Sequence, residues 1–228
     1  MLLIINADDF GKDTLTNQAI LQGFTEGLCS STTIMPNMGG FDEACQMAHA
    51  HKLLDHEGMH LVLADGFPLT EKIKRIDKFC NEEGQLSFSQ ARPTFYLGHK
   101  EKQVLAEEIR AQISKCRDNG LPLTHVDSHY HIHNQWGIAS VLIPILHEQK
   151  IPFLRLSRNC GPDLGIIKRI YKIVLNRKLR KEGLARTQYF GTIDDFRYLS
   201  QHKRSFQSIE SFEIVVHPNY AMDKRIID

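Results

Sequence analysis

Thr124-His125-Val126-Asp127-Ser128-His129-Tyr130-His131-Ile132-His133 gathers four of the chain's twelve His, with one Asp among them, into ten residues. His125, Asp127, His129, His131 and His133 fall at every second position, so one extended strand would turn all of them to a single face. A row of imidazoles around a carboxylate is costly to bury unless something binds it. Neutral imidazole with carboxylate is a preferred ligand set for a divalent transition metal. Leu121-Pro122-Leu123 before the stretch and Ile138 after it set it inside the folded chain, not in a tail. A polar strand end with solvated His is the plainer alternative, and the rest of the chain has to decide between them.

Outward from this strand, apolar runs at 2–7, 31–35, 58–63, 152–156, 188–192 and 209–216 read as further strands. Helical spacing predicts helices over 14–27, 42–54, 101–119, 136–149 (with Pro144 kinking it) and 163–183. Lys168, Arg169, Lys172, Arg177, Lys178, Arg180 and Lys181 in the last of these read as a solvated outer face. Strand following helix along the chain argues for a parallel sheet with right-handed crossovers. No Gly-rich dinucleotide fingerprint follows the first strand. The expected fold is α/β, a closed or nearly closed (β/α) barrel in one domain, 1–228. A lid-like insertion is expected at about 65–99, where Gly66, Pro68, Gly84, Pro93 and Gly98 break the pattern and little periodic core shows.

Composition narrows the partners. A chain of 228 residues with 42% hydrophobic and 24% charged residues is an ordinary globular one. A formal charge of +1 gives no reason to expect nucleic acid. No run is long and apolar enough to cross a membrane, and the N-terminus lacks signal-peptide features. Five dispersed Cys without a C-x-x-C pair predict a reduced, cytoplasmic protein. A homo-oligomer is left open.

Polar residues fall repeatedly at the ends of the expected strands. Asp8 and Asp9 follow the first and Asn37 the second. His60 lies in the third, Asp127 and His129 in the His-rich one, Arg155 late in its own, and His217 follows the last. His60 alone would read as a hydrogen-bonded core residue. In a parallel barrel, however, all these ends meet at one rim, where active sites form.

Asn6-Ala7-Asp8-Asp9-Phe10-Gly11, Gly58-Met59-His60-Leu61, Thr124-His125-Val126-Asp127-Ser128-His129 and Val216-His217-Pro218 together resemble the YdjC-like carbohydrate deacetylases, the group that includes chitooligosaccharide deacetylase. The resemblance runs from Leu3 to about Tyr220. It implies an irregular TIM-like (β/α) barrel with mostly parallel strands and one divalent metal ion, magnesium or zinc. The implied reaction removes the N-acetyl group from an amino sugar or acetylated oligosaccharide. By match of motif, Asp9, His60 and His129 are the implied metal ligands, Asp8 the general base, Arg155 its partner and His217 the general acid. The chain ends at Asp228, soon after the last motif, where relatives tend to continue, and Asn219 stands where a Gly is common.

The chemistry is consistent with this reading. Amide hydrolysis needs a nucleophile stronger than water, and a metal on three protein ligands supplies one. A carboxylate takes the water's proton and a His protonates the leaving amine. Spacing alone leaves open which of Asp8 and Asp9 faces the metal. Sugars bind on aromatic faces, so Trp136, Phe67, Tyr130 and Phe95, with Asp127, are candidate substrate contacts. The competing readings are another metal-dependent barrel hydrolase, phosphoesterase or amidohydrolase, and a non-catalytic sugar-binding module.

Overall fold

The computed structural model describes residues 1–91, 93–162, 165–184, 187–203, 205–220 and 226–228. Its strands are β1 (Leu2–Phe10), β2 (Ser31–Ile34), β3 (Glu57–Leu61), β4 (Val126–Ser128), β5 (Tyr189–Gly191) and β6 (Ser211–Val216). They form one six-stranded parallel sheet in the order β4-β3-β2-β1-β6-β5, curled into a half-barrel. The helices are α1 (Thr14–Thr25), α2 (Phe41–Ala50), α3 (His99–Asp118), α4 (Trp136–Glu148), α5 (Ile166–Lys181) and α6 (Ile193–His202). Short strands β7 (Asn219–Tyr220) and β8 (Ile226–Ile227) pair antiparallel beside α1.

Side-chain alternation divides the sheet into two chemistries. Ala7, Met59, Leu61 and Val126 face the helices and join the main apolar core with Ile109, Ile113, Leu142 and Leu146. Asn6, Asp8, Thr33, His60, Asp127 and Glu213 take the other face and are buried there without joining that core. Gly58 lies on this polar face because a Cβ would stand 2.6 Å from the His125 carbonyl and 2.7 Å from its ring.

Of the closed or nearly closed barrel expected from the sequence, the described residues show the curled six-stranded half, without a continuous ladder joining β4 to β5. Segment 152–156, expected as a strand, makes only an isolated parallel bridge, Val126 with Leu154. Pro152 lacks a donor. Further along, the Asn176 side chain of α5 takes both backbone groups of Ser157, N–H and C=O, at 2.8 Å each, where a neighbouring strand would otherwise pair. Two backbone bonds reach β4, Val126 N–H to Phe153 O and Arg155 N–H to Val126 O, and one reaches β5, Asn159 N–H to Phe190 O.

Three other expectations shift. The His-rich stretch is not one long strand, because β4 stops at Ser128 and Tyr130 and His131 take left-handed backbone (φ 53° and 55°). Helix α6 was not foreseen, although Thr192 and Asp195 cap it reciprocally, side chain to backbone. Segment 65–99 is irregular as expected, yet it buries Ile73, Phe79, Leu86, Phe88 and Leu97. The Phe79 and Phe88 rings stack at 5.8 Å, and Glu108 of α3 accepts from the Leu69 and Thr70 amides. Asp163 and Leu164, the start of the expected helix over 163–183, lie outside the described residues; the helix observed begins at Ile166.

Candidate active site

The site begins with a broken alternation. Adjacent residues of a strand point to opposite faces, which would separate Asp8 from Asp9. Asp9 instead has φ 71°, and the β1–β2 register slips between Ala7 and Phe10. The turn brings the Asp9 carboxylate over the rim that Asp8 already faces. Left-handed backbone at a non-glycine residue costs about 1–2 kcal/mol and persists only where the surroundings enforce it.

Asp9 Oδ1 then lies 3.3 Å from His60 Nε2 and 3.0 Å from His129 Nδ1. His60 is the register partner of Asp127 on the neighbouring strand. Its Nδ1 donates to Asp127 Oδ1 at 2.6 Å, which leaves Nε2 aimed at Asp9. Thr33 Oγ1 donates to the other Asp127 oxygen at 3.0 Å. His129 follows the last residue of β4, and its Nε2 is buried with no hydrogen-bond partner.

Beneath this group, Arg155 joins three strands, β1, β4 and β6. It donates Nη1 and Nη2 to the two Asp8 oxygens at 2.7 Å each and Nε to Glu213 Oε1 at 2.6 Å. Nη1 also lies 2.6 Å from Asp127 Oδ2. Asn6 adds a donor to Asp8 Oδ1 at 2.8 Å. All four charged groups are buried. Such a network survives only when each charge is matched, and removing one partner typically costs about 3–5 kcal/mol.

The electrostatics favour a cation. Asp8, Asp9, Asp127 and Glu213 meet Arg155, the imidazoles of His60 and His129 and, at the rim, Lys12, whose Nζ is 3.1 Å from Asp9 Oδ2. Burial would raise the Asp9 carboxyl, but hydrogen bonds from His129 and His60 outweigh it and hold Asp9 well below the usual carboxylate range. Burial would lower the His60 imidazole, but Asp127 and then Asp9 hold it up at about 10. The pocket thus draws positive charge wherever it can be found.

The donor set also fits a metal. Asp9, His60 and His129 bring one ligand atom each within 4.8 Å of one another. Ligand atoms sharing an ion at about 2.1 Å stand roughly 3.0–3.4 Å apart, which matches the spacings above. The other acidic group, Asp8 with His60 and Asp127, is occupied by the guanidinium of Arg155.

A cleft of about 890 Å³ opens over this centre, with Lys12, Ser87, Phe88, Gln90, Tyr130 and His131 on its walls. His217 stands at its edge, half exposed, with Nε2 4.0 Å from Asp8 Oδ2. A second cavity, of about 330 Å³, lies at the opposite end of the sheet under Asn6, His125 and Glu213; it holds none of Asp9, His60 or His129.

The sequence expectations can now be placed. Asp8, Asp9, His60, His129, Arg155 and His217 converge. Tyr130 lines the cleft, 62% exposed, with its ring 4.0 Å from that of His129. Asp127 does not reach the cleft, because it is fully buried and both its oxygens are engaged. Trp136 packs against the core under Lys178, and Phe95 lies edge-on to Tyr171. Phe67 is exposed but not on the cleft wall. His133 turns inward to Ser128, and His131 meets Phe190 edge-on. Sequence reasoning missed Glu213, although an acid within Phe212-Glu213-Ile214-Val215-Val216 was the signal, and it missed Lys12 and Thr33.

Comparison with known proteins places the chain in one family. The family model described as YdjC-like protein matches residues 2–228. A carbohydrate deacetylase of Brevibacillus brevis is 34% identical over 152 residues, 67% of this chain and 58% of that protein's length. A chitooligosaccharide deacetylase of Yersinia enterocolitica is 31% identical over 221 residues, covering 96% of this chain and 82% of that protein. A solved structure from Enterococcus faecalis, provisionally described as a cellobiose-phosphate cleavage protein, superposes with a TM-score of 0.71 at 22% identity. It covers 97% of this chain and 82% of that one, and it bears on the fold alone.

Proposed function

The chain belongs to the YdjC-like protein family, and on that footing we propose that it is a metal-dependent carbohydrate deacetylase, a hydrolase of the C–N amide bond in an N-acetylated amino sugar of the chitooligosaccharide kind. The observation that carries the reading is the Asp9 carboxylate set between His60 Nε2 and His129 Nδ1, with Asp8 and His217 beside it.

Asp9, His60 and His129 hold one divalent ion in this reading. Two imidazoles with one carboxylate suit zinc better than magnesium, which prefers oxygen ligands. The bound ion supplies a Lewis acid for the acetyl carbonyl and lowers the pKa of a water. Asp127 fixes the His60 tautomer, so that Nε2 and not Nδ1 faces the ion. Asp8 is the base. Its Oδ1 accepts from Asn6 and Arg155, whereas Oδ2 accepts from Arg155 Nη1 alone and keeps a lone pair toward the cleft. Arg155 holds that carboxylate in place. His217, on the open side of Asp8, protonates the departing amine. Tyr130 offers an aromatic face for a sugar ring, and Ser87, Phe88 and Gln90 of segment 65–99 cover the rim. The five buried, unpaired thiols fit a reducing compartment such as the cytoplasm.

The test is acetate release from diacetylchitobiose by purified protein loaded with zinc, manganese or magnesium and stripped by a chelator. Metal-dependent acetate is the expected result. Release of phosphate from a generic phosphomonoester without acetate would move the site to the phosphoesterases, and saturable sugar binding without turnover would make it a binding module.

A further inference from the structure

Helix α5 is amphipathic in an unusual sense, because its outward face is apolar. Ile166, Ile167, Ile170 and Val174 are 78, 84, 57 and 47% exposed, and Ile173 continues the same stripe. They recur at the three- and four-residue spacing of one helical face. Leu175 and Leu179 already seat the opposite face on the protein. Seven Lys and Arg and no acid share these 16 residues. The Lys and Arg run expected as a solvated face therefore borders a band of exposed aliphatic side chains.

Next to the stripe lies a cavity of about 350 Å³ between α5, α6 and residues 158–161. Arg158, Arg169, Lys172 and Lys203 line it together with Tyr189 and Tyr198. Asp195, the acid beside it, is held by Arg158 at 2.6 Å. Arg169 and Lys172 have no acidic partner within salt-bridge distance among the described residues. Lys203 donates to the Tyr189 hydroxyl and lies over its ring, 4.3 Å from the centroid, with no acid within salt-bridge distance among the described residues. Burial, then Arg158 and Lys168, push the Lys172 ammonium down, as expected where cations outnumber anions. Ile173 lines the same cavity, so the pocket and the stripe are continuous.

We propose that this face docks on an anionic phospholipid surface, with the Ile stripe entering the acyl boundary and a headgroup phosphate seated among Arg158, Arg169, Lys172 and Lys203. Apolar side chains rimmed by Lys and Arg match the charge and depth profile of such a surface. A second copy of the chain matches it poorly, because two such helices would bring seven cations against seven.

The test is vesicle co-sedimentation of the full chain, read without any turnover. Vesicles of phosphatidylcholine alone are compared with vesicles containing phosphatidylglycerol, at low and high salt. The protein should pellet with the anionic vesicles only, and less so at high salt. Ile167→Glu with Ile170→Glu, and separately Lys172→Glu, should lower the bound fraction about tenfold or more. Both variants should keep the parent's circular dichroism and its deacetylation of a soluble oligosaccharide. Equal binding to neutral vesicles, or no binding to either, overturns the proposal. A solution dimer abolished by the Ile167→Glu/Ile170→Glu pair would assign the face to a second copy. Protection of the pocket by inorganic phosphate, without vesicle association, would assign it to a soluble phosphate ligand.

Discussion

Arg155 donates both terminal nitrogens to the two oxygens of Asp8, at 2.7 Å each, across 147 positions of sequence. This fork is planar and bidentate, which Lys does not reproduce. Arg155→Lys should therefore lower kcat for acetate release by about a hundredfold, in line with loss of a positioned base. Arg155→Met, which strands Asp8, Asp127 and Glu213, should lose about 3–5 kcal/mol in urea unfolding. Arg155→Lys with unchanged kcat would show that Asp8 needs no orienting partner.

Metal content separates the residues of the rim. His60→Ala and Asp9→Asn should lose bound metal by elemental analysis. Asp127→Asn should weaken metal affinity about 10–100-fold while all three ligands remain. His217→Ala should keep its metal and lose about a hundred- to ten-thousandfold in kcat. If His217→Ala sheds metal as readily as His60→Ala, His217 belongs in the coordination sphere and not on the leaving group.

Glu57 predicts a pH dependence far from the cleft. It is fully buried on the helix side of β3, neither carboxyl oxygen has a partner, and burial pushes its pKa up to about 8 from 4.5. The folded state holds this proton more tightly than the unfolded chain. Its contribution is therefore full below about pH 4.5 and is lost as pH rises toward 8, at up to roughly 1.4 kcal/mol per unit. Glu57→Gln should flatten the plot of unfolding free energy against pH over that window. Parallel curves for the two proteins would mean that the carboxyl is solvated or paired.

Gln90 ties segment 65–99 to the left-handed turn by donating to the Tyr130 carbonyl. Tyr130→Ala and Gln90→Ala should raise KM for an acetylated oligosaccharide several-fold and leave kcat and metal content near the parent's. An unchanged KM would remove this wall from the sugar site.

The rim was legible in the sequence because parallel strands end together. Asp8, Asp9, His60, His129, Arg155 and His217 could be gathered from strand ends alone. Their division of labour was not legible. It depends on a positive φ at Asp9, which nothing in Asp8-Asp9-Phe10 announces, and on β4 stopping at Ser128, which the unbroken alternation of His conceals. Asp127 looked like a substrate contact because its register partner is visible only in the sheet. How far the barrel closes was not legible for a related reason. The apolar run at 152–156 has strand composition, but it meets β4 through two backbone bonds among the described residues, and a helix side chain takes the backbone of Ser157 just beyond it.

That last arrangement has a thermal consequence. Arg155, which the proposed chemistry needs held still, rides on a segment with no continuous ladder on either side. Asn176 and the surrounding carboxylates hold it instead. Such a seam opens for less free energy than the strands flanking it. Amides at 153–159 should therefore take up deuterium before those of β1 and β6, so that loss of activity on heating would precede loss of the sheet.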